Sequence, residues 1–278
     1  MKFYLLGKSL KHSISPLIHS YFYNKLNINA TYSNLEIADE SLIADFIQKF
    51  KIDEESLGFN ITIPYKENIL NFVNEISEDV SIIGASNCVY KKDNKLVAEN
   101  TDWIGFIKGI EHKNIDFINK TILLIGAGGA SRSIIYALHK LKVKKVILTN
   151  RTYENALKFV EIYKNFIDIE PIKWHNFYKK PIDIIINTTP IGMGEFIDIS
   201  PLDSIPNNVQ FVFDAIYNPY ETKLIKLAKE MNIDYLNGLH MLIYQAAESY
   251  KYWLNISIPD NVMNQAFEYA KIYLYKSV

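Results

Sequence analysis

The sequence predicts an α/β protein of two lobes: an N-terminal α/β lobe, a second lobe of βαβ units, and C-terminal helices that return to the first lobe. Three observations predict this class. Strand and helix signals alternate over residues 1–100, a buried strand, a glycine turn and a helix start follow one another within residues 121–137, and the pattern beyond Gly238 is helical. The 278 residues are enough for two domains of ordinary size.

The first lobe shows short apolar runs separated by helix signals. Ser15 and Pro16 are typical of a helix start, because serine caps a helix and proline suits the first helical position. Residues 92–94 are polar and predict the turn of a hairpin. The strands predicted in this lobe are 3–6, 30–37, 57–63, 87–90 and 96–99, and the helices predicted after the one at Ser15 are 41–50 and 102–110.

The strand Thr121–Ile125, the glycine turn that follows it and the next helix predict the first unit of a Rossmann-type dinucleotide-binding domain. Gly126 permits a tight turn, and Gly128 lets the backbone approach a pyrophosphate at the positive end of the helix. Ser131 occupies the third position of this motif, where glycine or alanine is usual. The alternative is an ordinary strand-to-helix turn, which occurs in any α/β protein.

The next predicted strand indicates which dinucleotide binds. It ends in Asn150, Arg151 and Thr152, where an NAD site usually offers an acidic residue to the ribose 2′-hydroxyl. Arg151, with Arg132 on the glycine loop, suits a phosphate dianion and therefore favours NADP(H). The alternative is that Arg151 is a solvated loop cation. The strands predicted after the glycine turn are 145–149, 169–173, 182–187 and 210–214.

Composition and charge exclude several classes of function. The net charge of −1 argues against a nucleic-acid partner or a polybasic membrane contact. The single cysteine, Cys88, excludes an intrachain disulfide and a cysteine metal cluster, which fits a reducing compartment. The apolar run at residues 1–7 is too short for a signal peptide, and no stretch has the length of a membrane span. We therefore expect a soluble, cytoplasmic protein with a small-molecule substrate and no metal.

Polar residues also appear in the first lobe where packing does not require them. Ser13 and Ser15 place two hydroxyls at a helix start, which is a suitable seat for a carboxylate, although Ser15 alone could be a simple cap. Lys66 follows a strand and is the only lysine between Lys51 and Lys91. Considered in isolation, Lys66 would be interpreted as an exposed lysine at a helix start. Asp102 follows another strand and could equally cap the next helix.

Nine short motifs occur in order along almost the whole chain, and together they resemble those of the shikimate dehydrogenase family. Each motif alone is weak, but the ordered set is specific. With x for any residue, the motifs are Gly7…His12-Ser13-x-Ser15-Pro16, Asn60-x-Thr62-x-Pro64-x-Lys66, Gly84-Ala85-x-Asn87, Asn100-Thr101-Asp102-x-x-Gly105, Gly126-x-Gly128-Gly129-Ala130, Asn150-Arg151-Thr152, Asn187-Thr188-Thr189-x-x-Gly192-Met193, Asp214-x-x-Tyr217-x-Pro219-x-x-Thr222 and Gly238-x-x-Met241-Leu242-x-x-Gln245.

The resemblance implies an NADP(H)-dependent oxidoreductase that reversibly reduces 3-dehydroshikimate to shikimate in aromatic amino-acid biosynthesis. It implies a substrate-binding and catalytic domain over 1–101 and 239–278, and a Rossmann-like NADP-binding domain over 102–238. Lys66 and Asp102 would form the catalytic pair. An ammonium held by a carboxylate can stabilise the charge that develops on the ketone oxygen and supply the proton.

The resemblance also implies which residues bind each molecule, in a protein that is a monomer or a homodimer. Ser13 and Ser15 would hold the substrate carboxylate. The substrate-binding residues would be Ser13, Ser15, Thr62, Lys66, Asn87, Asp102, Tyr217 and Gln245. The cofactor-binding residues would be Gly126, Ala127, Gly128, Gly129, Ala130, Asn150, Arg151, Thr152, Thr188, Met193 and Gly238.

Three alternatives remain open at this point. A quinate or shikimate dehydrogenase that prefers NAD would share most motifs but would tend to carry an acid at the ribose position. A short-chain dehydrogenase would use a Tyr-x-x-x-Lys pair, a spacing found at Tyr21 with Lys25 and at Tyr136 with Lys140. A non-catalytic NADP-binding regulator would not need Lys66.

Overall fold

The computed structural model describes residues 1–174 and 176–276. The chain divides into two compact units. The first unit comprises Met1–Gly105 and Leu242–Ile272, and the second comprises Phe106–Met241 with the last described residues from Tyr273. In the described part of the chain, no helix is both long and apolar enough to cross a membrane.

The first unit is built on a six-stranded mixed sheet. Its elements, in chain order, are β1 (Lys2–Gly7), α1 (Ser15–Leu26), β2 (Thr31–Glu36), α2 (Ser41–Ile52), β3 (Ser56–Ile61), β4 (Glu75–Ile76), α3 (Glu78–Ile83), β5 (Cys88–Lys92), β6 (Lys95–Glu99) and the start of α4 (Asp102–His112). The strand order is β2-β1-β3-β5-β6-β4. β1 is parallel to β2 and β3, whereas β5 is antiparallel to β3 and β6.

The core of the first unit follows from strand alternation and helix periodicity. On one face of the sheet, α2 turns Ile43, Ile47 and Phe50 towards the strands, because residues three or four apart share one side of a helix. Phe50 packs edge-on against Phe59 of β3, with ring centroids 4.9 Å apart. Neighbouring residues in a strand point to opposite faces, so β1 can contribute to a second apolar layer with Phe3.

The predicted start of α1 needs a correction of one residue. Ile14 is the N-cap and Ser15 is the first helical residue, so Pro16 occupies the second position. Ser15 does not cap the helix with its hydroxyl, because its backbone N–H and its Oγ both pair with the Oγ of Ser13 at 3.2 Å. The hydroxyls of Ser13 and Ser15 are therefore bonded to each other, and the side chain of Ser15 does not cap the helix.

The second unit carries a six-stranded parallel sheet with the order of a Rossmann fold. Its elements are β7 (Thr121–Ile125), α5 (Gly129–Lys140), β8 (Lys145–Thr149), α6 (Tyr153–Tyr163), β9 (Ile169–Ile172), β10 (Ile184–Asn187), β11 (Phe211–Asp214), α7 (Lys223–Glu230) and β12 (Asp234–Asn237). The strand order is β12-β11-β10-β7-β8-β9. The central strand β7 is buried throughout, which explains its continuous apolar run.

Two long helices, α8 (Leu239–Leu254) and α9 (Asp260–Lys276), follow β12. The greater part of each belongs to the first unit. Trp253 of α8 packs so closely on β3 that a Cβ at Gly58 would lie 2.4 Å from its indole ring. The fold class predicted from the sequence is confirmed: an N-terminal α/β unit and a Rossmann-type unit.

Some elements differ from the sequence prediction at their ends or were missed. β9 ends at Ile172 rather than at residue 173 and contains Pro171, which the sheet tolerates because β9 is an edge strand. β4 has two residues and β12 has four, so neither gives a clear alternating pattern. Both are formed by pairing with a neighbouring strand, β4 with β6 and β12 with β11.

Candidate active site

Lys66 and Asp102 form a partly buried ion pair in the first unit. Lys66 Nζ lies 2.5 Å from Asp102 Oδ2, and the two side chains are 12% and 8% exposed. Lys66 follows the end of β3, and Asp102 is the first residue of α4. Lys66 is thus not an exposed surface lysine. Asp102 does not act as a simple helix cap, because its Oδ1 accepts from Asn87 instead.

Asn87 is the centre of a buried polar network around this pair. Its Nδ2 donates to Asp102 Oδ1 and Thr101 Oγ1 at 2.9 Å and to Gln245 Oε1 at 3.1 Å. Its Oδ1 accepts from the backbone N–H of Thr101 at 2.7 Å, which determines the orientation of the amide. The structure therefore brings together Lys66, Asp102, Asn87 and Gln245, which come from four separate stretches of the sequence.

Two residues that support this network were not among the predicted site residues. Thr101 binds both ends of the Asn87 amide and is fully buried. Asn60 contacts the backbone of Asn87. Its Nδ2 donates to the backbone carbonyl of Asn87 at 3.0 Å and to Ser249 Oγ at 3.1 Å, and its Oδ1 accepts from the Tyr32 hydroxyl. A signal for Asn60 was present in the sequence: a polar residue in the apolar run of β3.

Ser13, Ser15 and Thr62 also belong to the first unit. The two serine hydroxyls are 3.2 Å apart at the start of α1, where helix N–H groups add to the local positive potential. Thr62 follows β3, and its backbone N–H donates to the Leu6 carbonyl at 2.8 Å. A Cβ at Gly7 would lie 2.6 Å from the Thr62 methyl group, so only glycine fits there without a shift.

In the second unit, the glycine turn has the geometry that a pyrophosphate site requires. Gly126 has φ +111°, which L side chains rarely adopt, and a Cβ there would lie 2.5 Å from Thr188 Oγ1. Gly128 is the N-cap of α5, and a Cβ there would meet nothing within 4 Å. The open space and the helix start fit the close approach of a phosphate group. The predicted stretch Gly126–Ala130 spans this turn and the first two residues of α5.

Ser131, which departs from the usual glycine motif, has a structural role in this turn. Its Oγ accepts from the backbone N–H of Gly128 at 3.1 Å and pairs with Thr188 Oγ1 at 2.8 Å. Thr188 in turn donates to the Ile125 carbonyl at 2.7 Å. These bonds join the turn after β7 to the end of β10, which is the neighbouring strand in the sheet.

The predicted NADP-specifying residues lie after β8, next to this turn in the sheet order. Asn150 Nδ2 donates to the Thr152 carbonyl at 2.9 Å and closes a tight bend, on which Arg151 is exposed. Arg132 is half-buried on α5, with its guanidinium 5.9 Å from the ring centroid of Phe159. An exposed arginine at the carboxyl end of the second strand of a Rossmann sheet is suitably placed for a ribose phosphate.

The other predicted residues of the second unit are Met193, Tyr217 and Gly238. Met193 is half-buried directly before a short 3-10 helix, and Tyr217 is half-buried after β11. Gly238 is required by packing, since a Cβ there would lie 2.0 Å from the Ala215 carbonyl oxygen. The sequence motif identified Gly238 without this steric reason.

The buried carboxylate of Asp214 connects the ends of β10 and β11 with the segment before α7. Asp214, at the end of β11, accepts hydrogen bonds from Asn187 Nδ2 at 3.0 Å, Thr222 Oγ1 at 2.7 Å and the Ile216 N–H at 3.2 Å. Burial raises the pKa of Asp214 to about 7 despite these three donors. Because no ion pair involves Asp214 in the described part of the chain, only hydrogen bonds offset the desolvation cost of its charge, and they do so incompletely.

The structure bears on one of the alternatives left open by the sequence, the short-chain dehydrogenase with a Tyr-x-x-x-Lys pair. Lys25 lies over the Tyr21 ring at 5.5 Å and Lys140 over the Tyr136 ring at 5.0 Å. Tyr21 and Lys25 are neighbours on α1, and Tyr136 and Lys140 are neighbours on α5. Tyr136 is almost fully buried and is therefore a packing residue, and the Tyr21 hydroxyl donates to Gln265 Oε1 at 3.2 Å. Across residues 1–174 and 176–276, no group of three or more His, Cys, Asp or Glu side chains is placed to hold a metal ion.

Comparison with known families matches both units. The family model described as "Shikimate dehydrogenase substrate binding domain" matches residues 5–89. "Shikimate / quinate 5-dehydrogenase" matches residues 110–219, and "Shikimate 5'-dehydrogenase C-terminal domain" matches residues 238–266.

Individual proteins agree with the family models. The chain is 48% identical over 259 residues to shikimate dehydrogenase (NADP(+)) of Caldicellulosiruptor bescii, covering 92% of this chain and 90% of the relative. A chorismate mutase/shikimate 5-dehydrogenase fusion protein from Clostridium acetobutylicum has a similar structure, with a TM-score of 0.91, 32% identity and coverage of 99% and 98%. Shikimate 5-dehydrogenase from Thermus thermophilus, solved with NADP(H) and shikimate, gives a TM-score of 0.85 at 26% identity and covers 97% and 99%. The chain therefore belongs to the shikimate dehydrogenase family.

Proposed function

We propose that this protein catalyses the reversible, NADPH-dependent reduction of 3-dehydroshikimate to shikimate, a step of aromatic amino-acid biosynthesis. The observation that carries the proposal is the Lys66–Asp102 pair, held 2.5 Å apart inside a network of amide and hydroxyl groups. A non-catalytic cofactor-binding protein would not need a desolvated ion pair at this position, because burying two charges costs free energy that mere folding does not require.

The residues of the first unit match the groups of the proposed substrate. The hydroxyls of Ser13 and Ser15 would hold its carboxylate at the start of α1, where donors and the helix dipole favour an anion. Asn87 and Gln245, whose amides are 3.1 Å apart, would bind the ring hydroxyls. Thr62 would add a third hydroxyl contact. The resemblance to the family adds Tyr217 to the substrate-binding residues.

Lys66 would act on the ketone oxygen. When bound, NADPH supplies the hydride that reduces the carbonyl carbon, and negative charge then develops on the oxygen. The Lys66 ammonium would stabilise that charge and donate its proton. Asp102 would orient the ammonium through Oδ2, while Asn87 holds Oδ1, so the carboxylate has one defined position. In the reverse reaction, Lys66 would accept the proton from the substrate hydroxyl.

The second unit would hold NADP(H) with residues from the ends of adjacent strands. The turn Gly126–Ala130 would bind the pyrophosphate, and Asn150, Arg151 and Thr152 would bind the 2′-phosphorylated ribose. Thr188, Met193 and Gly238 would lie along the rest of the cofactor. We assign residues 1–101 and 239–278 to the substrate domain and 102–238 to the cofactor domain.

The decisive experiment follows NADPH absorbance with purified protein and 3-dehydroshikimate. We expect oxidation of NADPH, slower turnover with NADH, and a loss of about a hundredfold or more for Lys66→Ala, the usual scale for a lost proton-transfer group. Lys49→Ala is the matched control, because Lys49 is an exposed lysine of α2 in the same unit. Repeating the assay with quinate and each oxidised cofactor tests the NAD-preferring alternative.

Wild-type protein that binds NADPH but does not oxidise it with 3-dehydroshikimate would refute the proposed reaction. Near-normal turnover of Lys66→Ala would instead refute the assigned role of Lys66 and leave the reaction itself standing. The two failures are distinguishable because the first concerns the wild-type chain alone.

A further inference from the structure

A lysine stands at the end of β9, beside the bend that carries Arg151. β8 and β9 are neighbouring parallel strands, and Thr149 is paired with Ile172 at their carboxyl ends. The residues that follow, Asn150 and Lys173, therefore leave the sheet at the same edge. Neither the glycine motif nor the Asn150–Thr152 motif includes Lys173, because it comes more than twenty residues later in the chain.

The side chain of Lys173 is directed towards this bend. Its Nζ lies 5.7 Å from the ring centroid of Tyr153, the first residue of α6 and only two residues after Arg151. A cation over an aromatic face is held there by the ring quadrupole. The ammonium is therefore positioned against the start of α6 although the residue is exposed.

Several lysines of the second unit have a carboxylate partner, whereas Lys173, like Lys158, has none among the described residues. Lys145 and Lys180 both pair with Glu170, and Lys164 pairs with Glu161. Among the residues that the structure describes, no ion pair involves Lys173 or Arg151. Two cations without counter-ions thus stand at the ends of two adjacent strands.

The bend also contains a charge that works against an anion. Glu154 lies in the first turn of α6, directly after Tyr153. Its carboxylate would repel a phosphate bound at Arg151. One guanidinium facing both Glu154 and a phosphate dianion leaves the local balance negative. A second cation lowers the net negative charge of Arg151, Glu154 and the phosphate dianion from −2 to −1.

We propose that Lys173 is a second phosphate-binding cation of the cofactor site and a determinant of specificity for NADP(H) over NAD(H). The inference rests on the proposed function, because it assigns a residue to the 2′-phosphate of the same cofactor. Arg151 supplies the forked guanidinium, and Lys173 supplies a point charge from the neighbouring strand. Tyr153 positions the Lys173 ammonium through its ring.

The test is calorimetric titration of the full chain with adenosine 2′,5′-bisphosphate and with 5′-AMP, which differ only in the 2′-phosphate. We expect Lys173→Ala to weaken binding of the bisphosphate about three- to tenfold, as for one exposed charge-assisted contact, and to leave 5′-AMP binding within about twofold. Lys173→Arg, which keeps the charge, should retain most of the difference. Lys158→Ala, an exposed lysine further along α6, is the matched control.

A second readout concerns the aromatic contact. In the wild-type background, Tyr153→Leu should weaken binding of the bisphosphate about two- to threefold. Combined with Lys173→Ala, it should have no further effect on that binding. If Lys173→Ala loses affinity equally for both ligands, or for neither, the assignment of Lys173 is overturned. A wild-type chain that binds the bisphosphate no more tightly than 5′-AMP overturns it as well, and in that case the NADP preference of the proposed function fails with it.

Discussion

Substitution of Asp102 by asparagine separates the catalytic role of the carboxylate from a purely structural one. In the structure, Oδ2 accepts from Lys66 Nζ at 2.5 Å and Oδ1 accepts from Asn87 Nδ2 at 2.9 Å. An asparagine keeps the shape and retains an acceptor for Asn87. It removes the counter-ion of Lys66 and turns an NH₂ group towards the ammonium. The packing is therefore almost unchanged, while the orientation of the proton donor is lost.

The size of the effect follows from the burial of the pair. Both side chains are at most 12% exposed, so water replaces the lost contact poorly. Removing one partner of a buried, hydrogen-bonded charge pair costs roughly 2–5 kcal/mol. If about 3 kcal/mol of this appears in the transition state, turnover falls by about a hundredfold. We expect the loss mainly in kcat, because substrate contacts from Ser13 and Gln245 persist.

The assay is a double-mutant cycle in kcat with NADPH and 3-dehydroshikimate. Lys66→Ala and Asp102→Asn should each cost about as much as the double variant, because two residues that act as one device lose most of their effect with the first removal. Asp45→Asn, at an exposed position of α2, is the matched control. Fully additive losses, or an effect of Asp102→Asn confined to the melting temperature, would contradict the orienting role of Asp102.

Three further outcomes are expected. Arg151→Ala should weaken binding of NADPH about ten- to a hundredfold, with a smaller effect at high salt, and should barely change binding of NADH. Equal weakening of the binding of both cofactors in the titration would contradict the assignment of Arg151. Ser131→Ala should raise the KM of both cofactors about three- to tenfold through lost bonds to Gly128 and Thr188, and unchanged KM values would show that the turn holds without it. Since burial raises the pKa of Asp214 to about 7, its stabilising contribution is complete below the unfolded pKa and is lost as pH rises through about 7. Thermal unfolding of Asp214→Asn at about pH 5 and about pH 8 should therefore show a smaller pH difference than wild type.

Several features of this protein were predictable from short stretches of sequence. The apolar run Thr121–Ile125 with Gly126 and Gly128 predicts a strand, a turn and a helix start, and the structure has all three. The alternation of strand and helix signals likewise predicts the α/β class. Each signal depends on backbone preferences and on periodicity within a few residues. The departure at Ser131 could be seen in the sequence, but its partner Thr188 could not.

The composition of the candidate site depends on contacts between residues that are far apart in the chain, and these contacts exist only in the folded molecule. Lys66 and Asp102 are 36 residues apart, and Asn87 and Gln245 are 158 apart, yet each pair is within hydrogen-bond distance. No local preference encodes these distances. They follow from the strand order of the first sheet, from the register of β3 with β5, and from the return of α8 to that unit. Local sequence therefore sets the helices, the strands and the residue types available for chemistry, whereas burial and strand pairing determine which of those residues meet.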